Sequence, residues 1–155
     1  MAAVTIKIVP HTDPELRRLI QRLDAELLQR YPADSIFSLN LNSSIVEKVT
    51  FVVAETDDLT VGCGAILPVD DQTVELRRFY VEPAMRGQGI ASAILRFLED
   101  LARQRGYRHV VLETGPKQPG AIGLYHKFGY RQIPSYGEYE GCEYSLCMAK
   151  DLREQ

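Results

Sequence analysis

Two glycines lie close together where a strand-like segment changes into a helix-like one. The six residues of this turn are Arg86, Gly87, Gln88, Gly89, Ile90 and Ala91. Glycine tolerates positive φ and lets a ligand approach the backbone closely. The first N–H groups of a helix lack intrahelical partners and lie at the positive end of its dipole, so such a turn can hold a phosphate or pyrophosphate. The turn therefore predicts a site for an anion-bearing cofactor, with a plain glycine turn at a helix start as the alternative.

Apolar periodicity predicts the elements that position this turn. Alternating or continuous apolar residues indicate strands at 4–9, 50–55, 60–67, 73–81, 109–114, 130–133 and 143–148. Helical spacing indicates helices at 12–30, 88–105 and 120–128, with a short one near 43–47. The order β–α–(α)–βββ–α–β–α–ββ predicts one domain over 1–155 with an α/β (α+β) fold. Because the glycine turn follows the third strand of a meander, it argues against a doubly wound dinucleotide-binding fold.

The predicted helices carry recognisable boundary and pairing signals. Thr12 followed by Glu15 fits a capping box at the start of the first helix. Gly106 is expected to end the long central helix. Glu99 and Arg103, four residues apart, are expected to pair on the outer side of that helix.

Composition and charge exclude several classes of protein. A formal net charge of −3 does not provide the basic field of a nucleic-acid-binding protein. The three cysteines have neither CxxC nor zinc-like spacing, so they predict no metal site and no disulfide framework. No apolar run approaches the roughly 20 residues of a membrane span. We therefore expect a cytoplasmic protein, monomeric or homodimeric, without metal, membrane or nucleic-acid partners.

The order of elements, together with Arg86, Gly89 and Ala91, resembles the GNAT superfamily of acetyl-CoA-dependent N-acetyltransferases. These three residues match the family signature Arg/Gln-x-x-Gly-x-Gly/Ala. The run from Ala121 to Tyr130 is similar to the family's late helix and the Gly–aromatic pair that follows it. The resemblance extends from the first strand to the last and points to a small single-domain bacterial type. It implies a mixed, mostly antiparallel central sheet of about six or seven strands with about four helices.

The resemblance also implies acetyl-CoA as co-substrate. The glycine turn would hold the pyrophosphate, and the strand ending at Val81 would separate from its neighbour to admit the pantetheine arm. The implied cofactor residues outside the turn are Phe79, Tyr80, Val81, Gln118, Ala121 and Tyr125. Gln118 stands where many family members have asparagine, and its amide offers the same donor and acceptor types. A backbone N–H near Val81 would stabilise the negative charge that develops on the thioester oxygen.

Tyr125 is the residue that the resemblance implies as general acid. It lies on the predicted 120–128 helix, where the family places this group. A phenol can donate a proton to a departing thiolate, whose conjugate thiol has the lower pKa. A buried tyrosine with no part in the chemistry is the alternative.

Glu75 is the implied general base, because it matches a position that several family members use in this way. It precedes Val81 by an even number of residues, which is expected to place both side chains on the same side of the strand. The alternative is a surface carboxylate paired with Arg77 or Arg78. Glu113, on the neighbouring strand, is the other carboxylate candidate.

Two irregular segments, 31–42 and 135–143, are expected to select the acceptor, since loops on a rigid scaffold commonly carry specificity. The second is acidic and aromatic, which would suit a cationic amine. The predicted activity is transfer of an acetyl group from acetyl-CoA to a primary amine of a small molecule or amino acid, by direct attack in a ternary complex. A peptide or protein N-acetyltransferase and a non-catalytic acyl-CoA-binding sensor module are the alternatives.

Overall fold

The computed structural model describes residues 3–33, 44–116 and 119–153. Within these ranges the chain forms seven strands in one sheet, with the order β1-β2-β3-β4-β5-β7-β6. The strands are β1 (Thr5–Val9), β2 (Thr50–Thr56), β3 (Leu59–Pro68), β4 (Thr73–Val81), β5 (His109–Thr114), β6 (Arg131–Ile133) and β7 (Leu146–Asp151). β4 and β5 are parallel, and the other neighbours are antiparallel. The predicted mixed, mostly antiparallel sheet is confirmed.

The described ranges contain three α-helices, which cover both faces of the sheet. They are α1 (Pro14–Arg30), α2 (Ile90–Gln104) and α3 (Pro119–Lys127), and the segment expected near 43–47 is a short 3₁₀ helix, Ser44–Lys48. Leu16 and Leu19 of α1 belong to one cluster of buried residues, whereas Ile94 of α2 and Tyr125 of α3 belong to the other. The sheet therefore separates α1 from α2 and α3. None of the helices in the described part of the chain is long and apolar enough to cross a membrane.

The first helix begins at a different cap from the one predicted. Asp13, not Thr12, is the N-cap, and its Oδ2 accepts a hydrogen bond from the backbone N–H of Leu16 at 3.0 Å. The carboxylate also places a negative charge at the positive end of the helix dipole, which a threonine hydroxyl does not do. Pro14 follows in the first turn, where proline is well tolerated.

The last strand lies three residues later than predicted. Residues 142–145 form a turn in which the Ser145 N–H donates to the Cys142 carbonyl at 3.2 Å. β7 then runs between β5 and β6 and pairs with both. Lys150 lies inside this strand and is buried, and its Nζ donates to Glu99 at 2.8 Å.

Glu99 is buried in α2 rather than on its outer side, so that prediction was wrong. Only 4% of the residue is exposed. Its Oε1 accepts from Lys150, and its Oε2 accepts from the Tyr130 hydroxyl at 2.8 Å. Arg103 pairs with it at 3.8 Å, as the i,i+4 spacing predicted. The compensating lysine and tyrosine come from distant parts of the sequence, so helical periodicity alone could not reveal the burial.

Two glycines of β3 allow α2 to lie close to the sheet. A Cβ at Gly62 would come within 2.9 Å of Ile94 Cδ1, and one at Gly64 within 3.0 Å of Ile94 Cγ2. Ile94 and Leu98 are almost completely buried at this contact. The close packing places the N-terminus of α2 directly beside the end of β4.

β4 contains a bulge that reverses the alternation of its side chains. Arg77 is opposite Ala65 and Tyr80 is opposite Cys63, so both Arg78 and Phe79 lie opposite Gly64. Arg78 adopts φ 53°, a conformation that few non-glycine residues adopt.

The bulge separates the directions of Glu75 and Val81. Val74, Leu76 and Val81 all pack in the cluster with α2, whereas Tyr80 packs in the cluster with α1. Because strand side chains alternate, Glu75 lies on the α1 face between Val74 and Leu76. The prediction that Glu75 and Val81 share a side is therefore wrong, since the extra residue shifts the pattern by one.

β4 and β5 separate halfway along β4. Their parallel pairing runs from Thr73 and His109 to Leu76 and Leu112, where the register ends. Beyond this point the two strands leave a gap in the middle of the sheet. Among the described residues, Phe79, Tyr80 and Val81 lie on β4 beyond the end of this pairing.

Candidate active site

A groove with a volume of about 540 Å³ lies between the end of β4, the start of α2 and α3. Nine of the predicted cofactor residues line it: Phe79, Tyr80, Val81, Arg86, Gly87, Gly89, Ile90, Ala91 and Ala121. Gln88 is exposed and is not part of the lining, and Gln118 lies outside the described residues. The groove is thus lined by the glycine turn, by the end of β4 and by Ala121 of α3.

The glycine turn needs glycine for its backbone conformation. Gly87 has φ 81° and Gly89, the N-cap of α2, has φ 83°. No atom lies within 4 Å of a Cβ placed at either residue, so the space around the turn is open. An L-residue would be strained here by its backbone angles rather than by its neighbours. The open turn leaves the N-terminus of α2 accessible to an anion.

Arg86 connects the turn to both β4 and α1. Its Nε donates to the Val81 carbonyl at 2.9 Å, and its Nη2 lies 2.9 and 3.1 Å from the two carboxylate oxygens of Glu26. The guanidinium also lies over the Tyr80 ring, 5.5 Å from its centroid. These contacts fix the turn relative to the strand, which local sequence did not reveal.

The backbone N–H of Val81 points toward the gap between β4 and β5. The N–H of Glu82 donates to the Val61 carbonyl of β3 at 2.8 Å. Successive N–H groups of a strand point to opposite edges, so the N–H of Val81 points away from β3. A ligand that extends along this edge of β4 would meet a backbone donor.

A second cavity, with a volume of about 120 Å³, adjoins the groove. The two share Leu23, Phe79 and Ala121 in their walls. Polar and aromatic side chains dominate the remaining wall of the smaller cavity, which includes Tyr31, Arg77, Arg78, Glu113, Thr114, Tyr125, Tyr139 and Tyr144. The shared residues place the interior of the smaller cavity next to the β4 end of the groove.

Tyr125 lies in the wall of the smaller cavity and is 5% exposed. Its ring contacts Phe79 at 6.0 Å and Tyr130 at 5.7 Å between centroids. Burial, and then the nearby charge of Glu113, raise the pKa of Tyr125 far above the usual value for a phenol. The hydroxyl therefore keeps its proton near neutral pH and can act as a donor.

Glu113 is the carboxyl group with a pKa suited to proton transfer near neutrality. Burial raises the pKa of Glu113 to about 7, although a hydrogen bond from the Ser145 hydroxyl at 3.0 Å and the charge of Arg77 lower it. It lines the smaller cavity from β5. A general base works best when its pKa lies near the working pH.

Glu75 is 5% exposed and is held from three directions. Its Oε2 accepts from the Tyr136 hydroxyl at 2.5 Å and from the Tyr139 hydroxyl at 3.2 Å, and its Oε1 accepts from Arg77 Nη1 at 2.9 Å. It is not part of the lining of either cavity. The pairing with Arg77 agrees with the alternative from sequence, but the pair is buried rather than at the surface.

The two segments expected to select the acceptor contribute unequally to the described site. Residues 34–42 of the first segment lie outside the described residues, whereas Tyr31 lines the smaller cavity. A side chain at Gly115 would overlap the Tyr31 hydroxyl, so glycine at this position lets Tyr31 lie in the cavity wall. Tyr139 of the second segment lines the cavity, and Tyr136 binds Glu75.

Sequence reasoning missed Leu23, Leu27 and Tyr144, which also line the smaller cavity. The two leucines belong to the apolar stripe of α1 and carry no local signal that separates them from core residues. Tyr144 lies just before β7, in a part of the chain predicted to be strand. Among the described residues, no group of three or more His, Cys, Asp or Glu side chains could hold a metal ion.

Comparisons with known proteins agree on one family. The chain matches the Acetyltransferase (GNAT) family over residues 14–130. A relative named IAA acetyltransferase, from Azospirillum brasilense, is 35% identical over 153 residues, which cover 98% of this chain and 100% of that protein.

Solved structures lead to the same family. A Klebsiella pneumoniae protein assigned as an acyl-CoA N-acyltransferase is 33% identical, with a TM-score of 0.86 over 98% of this chain and 99% of that one. A GNAT family acetyltransferase from Elizabethkingia anophelis, solved with acetyl-CoA bound, shares the fold at 20% identity, with a TM-score of 0.71 over 96% of this chain and 97% of that one.

Proposed function

The chain belongs to the GNAT family of acetyltransferases, which use acetyl-CoA, and from this premise we propose that it acetylates a primary amine of a small molecule or amino acid. The transfer is direct, with donor and acceptor bound together. The observation that carries this proposal is the contact between the two cavities at Leu23, Phe79 and Ala121. A donor in the larger groove and an acceptor in the smaller cavity would meet where β4 and β5 separate.

The larger groove is the proposed donor site. Bound acetyl-CoA supplies an activated acyl group as a thioester. The turn at 86–91 would bind its pyrophosphate, because both glycines leave the N-terminus of α2 open. The edge of β4 from Phe79 to Val81 would bind its pantetheine arm. The N–H of Val81 would donate to the thioester oxygen, where a fixed backbone donor stabilises developing charge.

Glu113 is the proposed general base, in preference to Glu75. An alkylamine with a pKa near 10.4 is almost fully protonated at neutral pH, so a proton must leave before the amine can attack. Glu113 lines the acceptor cavity, and its pKa of about 7 lets it take up that proton. Glu75 was the first candidate from sequence, but its two oxygens accept hydrogen bonds from Arg77, Tyr136 and Tyr139.

Tyr125 is the proposed general acid. Its raised pKa keeps the hydroxyl protonated, and its ring contacts Phe79 at the junction of the two cavities. The hydroxyl would return a proton to the departing thiolate. Glu113 and Tyr125 would thus handle the two proton transfers from the same cavity.

The name of the Azospirillum relative makes IAA a candidate acceptor to test alongside amines. The identity with that relative is 35%, so its acceptor is a hypothesis for this chain rather than an assignment. A cytoplasmic location also stays a proposal, supported by the odd number of cysteines.

The experiment that tests the proposed function is a thiol-release assay with acetyl-CoA. The panel contains primary amines, amino acids, polyamines, short peptides and IAA, and acetyl-CoA binding is measured separately by titration calorimetry. We expect turnover with at least one small amine or amino acid. Turnover with peptides alone would favour the peptide N-acetyltransferase, and tight acetyl-CoA binding without any turnover would favour the sensor module. Either result would overturn the proposal.

A further inference from the structure

We infer that the acceptor carries a carboxylate next to its primary amine, as an amino acid does, and that Arg77 binds this carboxylate. The inference rests on the proposed function, because it assigns the acceptor of that same site. It follows from the charged groups that line the smaller cavity.

Two guanidinium groups and one carboxyl group line this cavity, from Arg77, Arg78 and Glu113. The arginine side chains are 11% and 4% exposed, so both charges lie in a poorly solvated environment. Glu113, with a pKa of about 7, carries only part of a negative charge at neutral pH. Glu75 and Asp24 balance the charges of Arg77 and Arg78, so the lining offers guanidinium donors beside one carboxyl group rather than a net positive charge. Such a planar donor group favours a ligand that carries a carboxylate.

Arg77 is the better placed of the two arginines. Arg78 extends into the packing under α1, where its Nη2 donates to Asp24 at 2.5 Å and to the Ile20 carbonyl at 3.4 Å. Arg77 pairs within its own strand, with Glu75 at 2.9 Å, and stays at the cavity wall. A guanidinium has five N–H donors in a planar fork, so one that binds Glu75 can also bind a substrate carboxylate.

An amino acid has one group for each of the two side chains, Glu113 and Arg77. Its amine would lie at Glu113, which takes up the proton, and its carboxylate would lie at Arg77. A polyamine would instead bring a second ammonium group, which has no acceptor for a guanidinium N–H. The cavity volume of about 120 Å³ is close to the roughly 150 Å³ of a cavity that binds benzene, so it can enclose the head of an amino acid.

The test compares acceptors that differ only in the carboxylate. Glycine, L-alanine, L-leucine and L-phenylalanine are paired with methylamine, ethylamine, 3-methylbutylamine and 2-phenylethylamine, and kcat/KM is measured for each with saturating acetyl-CoA. The corresponding amino acid amides control for amine basicity. Their amine pKa is even lower than that of the amino acid, but they lack the negative charge of the carboxylate. We expect the best amino acid to exceed both its amine and its amide by about 10- to 100-fold, as for a charge-assisted hydrogen bond.

Arg77 variants assign that preference to one side chain. Arg77→Gln should reduce the ratio of acid to amide to about 1, whereas Arg77→Lys, which keeps the charge but not the fork, should retain part of it. Arg131→Gln, at an exposed position of β6, is the matched control and should leave the ratio unchanged. Thermal unfolding of each variant shows whether it is folded.

The outcomes separate this inference from the proposed function. Turnover that favours the amines or amides, or an acid preference that survives in Arg77→Gln, overturns the inference while acetyl transfer stands. If no acceptor turns over, titration of the CoA-loaded protein with the same acids and amides decides the matter. Equal binding of acid and amide overturns the inference, and tighter binding of the acid that is lost in Arg77→Gln supports it.

Discussion

The hydroxyl of Tyr136 donates a hydrogen bond to Oε2 of Glu75 at 2.5 Å, across 61 residues of sequence. Tyr139 donates to the same oxygen at 3.2 Å and also lines the smaller cavity. A carboxylate from the sheet therefore anchors the loop that forms one wall of the cavity. This arrangement gives Glu75 a structural role at the wall of the smaller cavity, the proposed acceptor site.

Replacing Glu75 by glutamine should weaken acceptor binding more than chemistry. The amide keeps one acceptor oxygen but loses the charge that holds both tyrosines, so we expect the acceptor KM to rise several-fold. The pH dependence of kcat/KM should keep its shape. If kcat/KM of the variant no longer rose with pH, and turnover fell by about 100-fold or more, Glu75 would instead be the base. Glu55→Gln, at a strand carboxylate that pairs with Lys7, is the matched control.

Replacing Glu113 by glutamine should remove a titration from the pH profile. With a pKa of about 7, Glu113 accepts a proton only when ionised, so kcat/KM should rise with pH up to about 7 and then level. Glu113→Gln should lower kcat/KM by about 100-fold or more above pH 7, and kcat/KM of the variant should no longer rise with pH up to about 7. If kcat/KM of the variant rose with pH as in the unmodified protein, Glu113 would be excluded as the base.

The same pKa predicts an effect on stability that is independent of activity. The pKa of Glu113 is about 7 in the folded protein against 4.5 as its ordinary value, so between these pH values the folded state binds more protons. The free energy of unfolding should therefore fall as pH rises from about 4.5 to 7, by up to about 3 kcal/mol. Subtracting the denaturant-unfolding curve of Glu113→Gln isolates this group. A difference between the two proteins that does not change with pH would contradict the raised pKa.

Replacing Tyr125 by phenylalanine should lower turnover without affecting donor binding. The phenyl ring keeps the packing against Phe79 and Tyr130, so the affinity for acetyl-CoA should stay the same within a factor of about 2. Loss of the donated proton should reduce kcat by about 100-fold or more. Calorimetry and steady-state kinetics measure the two effects separately. Tyr107→Phe, just after α2, controls for removal of a tyrosine hydroxyl, and equal kcat in both variants would exclude the acid role.

Replacing Gly89 by alanine should weaken acetyl-CoA binding through the backbone of the turn. Its φ of 83° costs an L-residue about 1–2 kcal/mol, so the turn must either strain or change shape. We expect the dissociation constant for acetyl-CoA to rise about 10-fold. Gly123→Ala is the matched control, because a methyl group added within α3 at this position meets no neighbouring atom and should be neutral or stabilising. Equal affinities in both variants would show that the turn does not hold the donor.

Removing the Glu99 side chain should destabilise the protein strongly, although the sequence predicted this residue on the outer side of α2. Glu99→Ala leaves the ammonium of Lys150 buried without its partner at 2.8 Å, which typically costs about 3–5 kcal/mol. Denaturant unfolding measures the loss. The double variant Glu99→Leu with Lys150→Met should recover most of it, and Asp100→Ala, at an exposed neighbour, should change stability by less than about 0.5 kcal/mol. Similar values for Glu99→Ala and Asp100→Ala would contradict the buried network.

Local sequence was sufficient wherever the structure depends on neighbouring residues. Gly87 and Gly89 adopt the positive φ that their place before a helix predicted, because the conformation of a turn depends on its own residues. The order of strands and helices followed from apolar periodicity for the same reason. The run from Ala121 to Tyr130 also singled out Tyr125, which lies in the wall of the cavity that adjoins the larger groove.

Only the tertiary structure decided which carboxylate lines the smaller cavity. Glu75 and Glu113 look alike in sequence, since each lies on a strand among apolar residues. The bulge opposite Gly64 reversed the alternation of β4, and it depends on how β3 and β4 pair rather than on either strand alone. The burial that raises the pKa of Glu113, and the hydroxyl groups that hold Glu75, come from segments far along the chain. Charge and burial at a site are sums over distant contacts, so they exist only once the chain has folded.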